Sequence, residues 1–243
     1  MNPAYREFVD NSLIFMDKRR LFRFVRPVAE FFYKHDVRKR WRVKRYLREN
    51  KVSKLQIGCG GNMLPGWLNT DKSAPSCWKG AIYMDVGKRF LLPDESVNYV
   101  YSEHLFEHLS YNQARNMLQE SFRVLKSGGV IRIATPNLEF LLDLYQHPEV
   151  EINKRYIEWA SHAGKLPGSA VYVVNRFHTA WGHQIVYDFE TLSALLAEFG
   201  FKDIRRCEMG KSEHEALNNV EGHFHLMPYD FCCLETMIVE GTK

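Results

Sequence analysis

The chain has 243 residues, room for one α/β domain with a full core and some additions but not for two large independent domains. Its five cysteines, at 59, 77, 207, 232 and 233, include no CxxC pair, which excludes a disulfide framework and a zinc-ribbon site and fits a reducing cytoplasm. The net charge of +4 is unevenly spread, since residues 18–51 hold fourteen basic and three acidic side chains, a local +11 that leaves −7 for the remainder.

No apolar run reaches the roughly 20 residues that cross a bilayer, and the N-terminus shows no signal-like apolar core, so a cytoplasmic protein is expected. Residues 1–50 read as a basic helical extension. Within it Leu21, Phe24, Val25, Val28, Phe31 and Phe32 recur at helical spacing, and Pro27 starts or kinks a helix. The preferred reading packs this stripe on the domain that follows. Its functional rival is peripheral contact with an anionic membrane, at the inner face, through residues 18–51.

Residues 51–243 read as one domain. LQIGCGG, 55–61, runs a strand into a turn of glycines, where Gly58, Gly60 and Gly61 let backbone approach a ligand closely. Asp71 follows ten residues after Gly61, at the end of a second strand-like segment, Trp67 to Thr70. A carboxylate there accepts hydrogen bonds from ribose hydroxyls. A dinucleotide fold needs a full helix and an acid about 20 residues on. This spacing leaves no helix N-terminus for a pyrophosphate, so an adenosine carried without phosphates fits better than NAD.

Further along, AIYMD (81–85), VNYVYSEHLFEHL (97–109) and RVLKSGGVIRIATPN (123–137) are apolar runs closing on polar residues. Ser110 and Gln113 form a capping-box pattern that opens a helix to Lys126, stopped by Gly128 and Gly129. Residues 130–134 form a buried strand, Phe189 to Phe199 a helix ending at Gly200, and 201–207 and 233–240 two closing strands. Segments 135–188 and 208–232 have no place in a minimal fold and are expected to build a substrate pocket.

The order GCG, Asp71, Asp85, EHxxEH and RVLKxGG resembles the class I S-adenosylmethionine-dependent methyltransferases. Within them it is similar to a bacterial subgroup reading GCGxxxxPGWxNxD, matched by Gly58, Cys59, Gly60, Pro65, Gly66, Trp67, Asn69 and Asp71. The likeness spans roughly residues 54–207. It implies an α/β, Rossmann-like, seven-stranded, mostly parallel sheet with an antiparallel last strand and helices on both faces. It also implies S-adenosylmethionine as cofactor, with Gly58 and Gly60 beneath the methionine part, Asp71 on the ribose, Asp85 by the adenine amino group, and Glu103 and His104 at the reaction mouth. Where relatives carry an acid two residues before the first glycine this chain has Gln56, which accepts a hydrogen bond without charge. The expected cofactor set is Gln56, Gly58, Cys59, Gly60, Asp71, Asp85 and Glu103.

A hydroxyl acceptor needs a base as the bond to methyl forms, and His104 is the first choice, with His183 in reserve. His178, Trp181 and Tyr187 are the expected substrate contacts, the aromatics offering flat apolar surfaces. Glu107 and His108 read as a structural helix-start pair. No metal is assigned, because no carboxylates cluster with the histidines of RFHTAWGH in sequence. Nucleic acid is disfavoured as a partner, since Ser102, Glu103 and His104 stand where base-modifying enzymes carry other motifs. The expected activity is O-methylation of a small molecule or of a glycan or glycolipid precursor. The alternatives are N-methylation of a small metabolite, or a non-catalytic binding protein that keeps the cofactor fold.

Overall fold

The computed structural model describes residues 31–243, so Leu21, Phe24, Val25, Pro27 and Val28 of the basic block lie outside the described residues. Helix α1 (Arg38–Glu49) precedes β1 (Lys54–Ile57), the glycine turn and β2 (Leu68–Asp71). Next come α2 (Ala74–Trp78), β3 (Ile82–Tyr83), β4 (Val97–Glu103), a 3₁₀ turn at Phe106–His108, α3 (Tyr111–Val124) and β5 (Leu125–Pro136). Three helices follow, α4 (Leu138–Gln146), α5 (Glu151–Gly164) and α6 (Ala170–Thr179), then α7 (Phe189–Glu198), β6 (Lys202–Cys207), two further 3₁₀ turns, α8 (Tyr229–Glu235) and β7 (Thr236–Thr242).

The seven strands lie in the order β3-β2-β1-β4-β5-β7-β6. The first five are parallel, with Leu55 beside Val100 and Val100 beside Ile131, while β7 runs antiparallel to both β5 and β6. Alternation along the strands sorts the faces. Leu55, Ile57, Val100, Ile131 and Ile133 bury with Met117 and Leu118 of α3 and Leu192 and Leu196 of α7. On the other face Tyr101 and Val130 pack with Leu217 and Val220 of the 208–232 segment. A separate cluster joins Leu141 of α4, Tyr156 of α5, Val173 and Phe177 of α6 and Phe231 of α8.

Local signals explain the punctuation. Ser110 and Gln113 exchange both capping-box hydrogen bonds at the start of α3. Asp188 Oδ1 accepts Thr191 N–H at 2.7 Å to cap α7. The loop between β1 and β2 contains no helix, as its length predicts. Asn69 holds it, its amide oxygen accepting Leu64 N–H at 2.9 Å and its amide nitrogen donating to the carbonyls of Leu64 and Trp67.

Several boundaries differ from expectation. Cys233 to Glu235 end α8 instead of opening the last strand, which runs on to Thr242, because no glycine or proline separates helix from strand there. The third strand is two residues long, so Asp85 lies beyond its end. Helix α3 ends at Val124, and Leu125 already pairs with Val97 before the glycines are reached. Phe31 and Phe32 are 60% and 68% exposed, so this end of the stripe is not packed on the domain. Of α1 only Val43 is buried. Among the described residues no helix is long and apolar enough to cross a membrane.

Arg132 of β5 is fully buried, its Nε donating to Glu221 Oε1 at 2.6 Å and Nη1 to Glu240 Oε1 at 2.7 Å. It ties the 208–232 segment to the sheet. Arg132→Met leaves buried Glu221 without its cation and Glu240 with Arg205 alone, and a loss of about 3–5 kcal/mol is expected in urea unfolding. A loss under about 1 kcal/mol would show that the triad does not hold this segment.

Candidate active site

The carboxyl ends of β1, β2 and β4 converge around the glycine turn. Gly60 has φ +51°, and a Cβ built there meets nothing within 4 Å, as is also true of Gly61. The turn therefore borders open space that a ligand can fill. Asp71 Oδ2 accepts Gly60 N–H at 2.7 Å, and Oδ1 accepts Ser73 N–H at 2.6 Å, so this carboxylate also shapes the turn. Gly58 has φ +69°, and a Cβ there would lie 2.7 Å from Leu105 Cδ2, so both backbone and packing favour glycine at this position. Cys59 is buried, its thiol pushed up to about 12 chiefly by burial, so only its backbone borders the turn.

Gln56 is buried and spends its amide on the loop, accepting Leu64 N–H at 3.1 Å and donating to Asn62 C=O at 2.8 Å. Asp85 accepts Gly87 N–H at 3.1 Å and pairs with Lys72 at 3.4 Å. Glu103 closes β4 and accepts the backbone N–H groups of Gly222 and His223 at 2.8 and 2.9 Å. It thereby fastens the 208–232 segment over the strand ends.

His104 follows at φ +45°, a left-handed conformation that costs a non-glycine residue about 1–3 kcal/mol and marks functional sites. Its Nδ1 lies 3.1 Å from Glu107 Oε1, its Nε2 3.5 Å from Thr236 Oγ1, and its ring stacks on His223 at 3.8 Å between centroids. Burial pulls the His104 imidazole down, but the hydrogen bond and charge of Glu107 outweigh it and leave it raised. Burial raises Glu107, and the same contact with His104 more than reverses that. His223 is pushed down to about 4 by burial and by His104, so it stands neutral near pH 7.

These groups open into a cavity of about 440 Å³, within the range of small-ligand pockets. Tyr156, Trp159, Phe177 and Trp181 supply its apolar wall, and Arg176 lies over the Trp181 ring at 4.8 Å. Of the expected residues His104, His183 and Trp181 meet here. His183 reaches it from the loop after α6, its Nδ1 donating to Phe177 C=O at 2.7 Å, and burial lowers its imidazole.

Two expected contacts do not. Tyr187 is 3% exposed, with its ring against Phe106 in the main core, because its backbone pairs with Asn137 beside β5 and turns the side chain inward. His178 sits on α6, not in a loop, on the exposed face away from the cavity lining. Sequence reasoning missed Glu235, which is buried, raised by burial and hydrogen-bonded to Tyr156 Oη. It lies on an apolar segment with no signal of its role. It also missed that Glu107 and His108 line the cavity, although the EHxxEH spacing places them one turn past His104.

Residues 55–133, spanning β1 into β5, match the methyltransferase domain family. No curated protein matches the sequence. The chain is similar to the crystal structure of a SAM-dependent methyltransferase from Archaeoglobus fulgidus, at 18% identity and a TM-score of 0.47, covering 84% of this chain and 92% of that one. A SAM-dependent methyltransferase from Mesorhizobium loti gives 15% identity and a TM-score of 0.48, covering 81% of this chain and 95% of that one. The match over residues 55–133, the sheet in the order 3-2-1-4-5-7-6 and the open glycine turn beside Asp71 together support an enzyme that uses S-adenosylmethionine.

Proposed function

We propose that this enzyme methylates a hydroxyl group of a small molecule or of a glycan or glycolipid precursor, and that it belongs to the bacterial subgroup with the GCGxxxxPGWxNxD turn. The observation that carries the reading is the His104–Glu107 pair at the mouth of the 440 Å³ cavity. A bound S-adenosylmethionine supplies an activated methyl group on a sulfonium. A neutral hydroxyl is too weakly acidic to attack it unaided, whereas a neutral amine has its lone pair free and needs no such base. With Nδ1 held by Glu107, His104 presents Nε2 to take the hydroxyl proton as the oxygen–carbon bond forms.

In this reading Gly60 and Asp71 hold the cofactor, Asp71 through the ribose hydroxyls, and Asp85 lies at the adenine end. Gln56 acts by bracing the 62–64 loop, and Glu103 by fixing the 208–232 segment. Segments 135–188 and 208–232 form the acceptor pocket, where Trp159 and Trp181 offer ring faces suited to a sugar or an aromatic acceptor. Labelled methyl transfer to matched alcohol and amine acceptors tests it. Label recovered as methyl ether supports the reading, and label confined to amines contradicts it.

The basic extension fits contact with an anionic membrane or a lipid-linked acceptor. Arg38, Arg40, Lys44, Arg45 and Arg48 are exposed on α1, with Trp41 among them. Each such cation contributes about 1 kcal/mol near an anionic surface. Co-sedimentation with anionic vesicles is expected at low salt and should fade as salt rises. No sedimentation at low salt would remove the membrane from the reading.

A further inference from the structure

Glu107, His108 and His183 each offer a ligand atom, and these three atoms lie within 4.8 Å of one another at the cavity wall. Seventy-five residues separate His108 from His183 in the chain, so the fold has to bring them together, and it does so through a specific set of contacts. Gln184 N–H donates to Glu107 C=O at 2.7 Å, Ile185 N–H donates to the same oxygen at 3.3 Å, and the Gln184 amide donates to His108 C=O at 3.1 Å. Ahead of them Trp181 and Gly182 take φ +55° and +83°, which turns the loop back toward Glu107.

Two of the three side chains are also held from behind. His183 Nδ1 lies 2.7 Å from Phe177 C=O, so it carries the proton and Nε2 keeps its lone pair. Glu107 is fully buried, its Oε2 accepting the Thr135 hydroxyl at 3.1 Å and its Oε1 lying 3.1 Å from His104 Nδ1. Each carboxylate oxygen keeps a second lone pair. A histidine that donates its other nitrogen to a carbonyl, beside a hydrogen-bonded carboxylate, is the outer arrangement found behind metal ligands. The rings of His108 and His183 also meet edge-on at 4.8 Å, but ring packing alone requires neither the buried carboxylate nor the fixed tautomer.

We propose that Glu107, His108 and His183 bind one divalent transition-metal ion of the zinc class, with an open coordination position facing the cavity. Two imidazoles and one carboxylate supply three protein ligands, the number found where zinc keeps a free position for substrate. Calcium and magnesium prefer all-oxygen sets and fit this one poorly. Tetrahedral bonds of about 2.0–2.1 Å put ligand atoms about 3.3 Å apart, so the site closes by at most about 1.5 Å of side-chain rotation. Resting on the O-methylation reading, the open position takes the acceptor hydroxyl oxygen and orients it toward the methyl group.

The test uses the full chain stripped with a chelator and dialysed against zinc chloride, with bound metal measured per chain and cobalt(II) substituted for its visible absorption. One zinc per chain and a cobalt spectrum with nitrogen and oxygen ligation are expected. His108→Ala and His183→Ala should each weaken binding by more than about 100-fold, beyond the 10–100-fold that loss of a supporting hydrogen bond costs. His162→Ala, at an exposed histidine of α5, should leave binding unchanged. Metal-free circular dichroism of the two variants matching metal-free wild type separates a lost site from a lost fold; for a variant that fails this check, His108→Gln or His183→Gln replaces it. Absence of bound zinc in the wild type, or retention unchanged in the folded variants, overturns the proposal. Neither readout involves S-adenosylmethionine or an acceptor, so a failed metal site leaves the methyl-transfer reading to its own assay.

Discussion

Replacing His104 is expected to lower turnover by about 10²–10⁴-fold while leaving cofactor affinity nearly unchanged, the range for loss of a general base. The choice of substitution matters because His104 sits at φ +45°. Asparagine enters that region more readily than most residues, so His104→Asn keeps the backbone while removing the imidazole. His104→Ala adds backbone strain and gives a second point. Asp71 and the glycine turn lie outside the His104 contacts with Glu107, Thr236 and His223. The expected signature is therefore a fall in kcat with an unchanged dissociation constant for S-adenosylmethionine. Wild-type turnover in a folded His104→Asn would remove this residue from the chemistry.

The second large effect is on cofactor binding. Asp71→Ala removes the proposed acceptor for the ribose hydroxyls and also the observed acceptor of Gly60 and Ser73 N–H. Hydrogen bonds to a charged group contribute about 1.5–3 kcal/mol each, so two lost bonds weaken binding by at least about 100-fold. Gly60→Val acts differently. Its side chain enters the open space beside the turn, and the left-handed backbone costs a β-branched residue about 1–2 kcal/mol. Binding should disappear while the sheet persists. A folded Gly60→Val that still binds, or an Asp71→Ala with unchanged affinity, would contradict the placement of the cofactor.

The open turn beside Asp71 was legible because its signals are local. A glycine turn, a short loop and an acid at the next strand end lie within seventeen residues, and the backbone between them has few options. The capping box at Ser110 was readable for the same reason. The acceptor end was not. Tyr187 and Trp181 are six residues apart in one loop, and nothing in the pattern says that one ring turns into the core and the other toward the cavity. Glu107 and His108 looked structural because His183, their neighbour at the cavity wall, arrives through a long-range backbone pairing at Gln184. Glu235 was hidden by an apolar run that passes from α8 into β7 without a breaker.

Calorimetric titration of the full chain with S-adenosylmethionine, with Asp71→Ala beside it, tests the central claim most directly. A single saturable binding event in the wild type, with the variant at least about 100-fold weaker, is the predicted result. A folded wild type that gives no binding heat and no ligand-induced rise in melting temperature would contradict it.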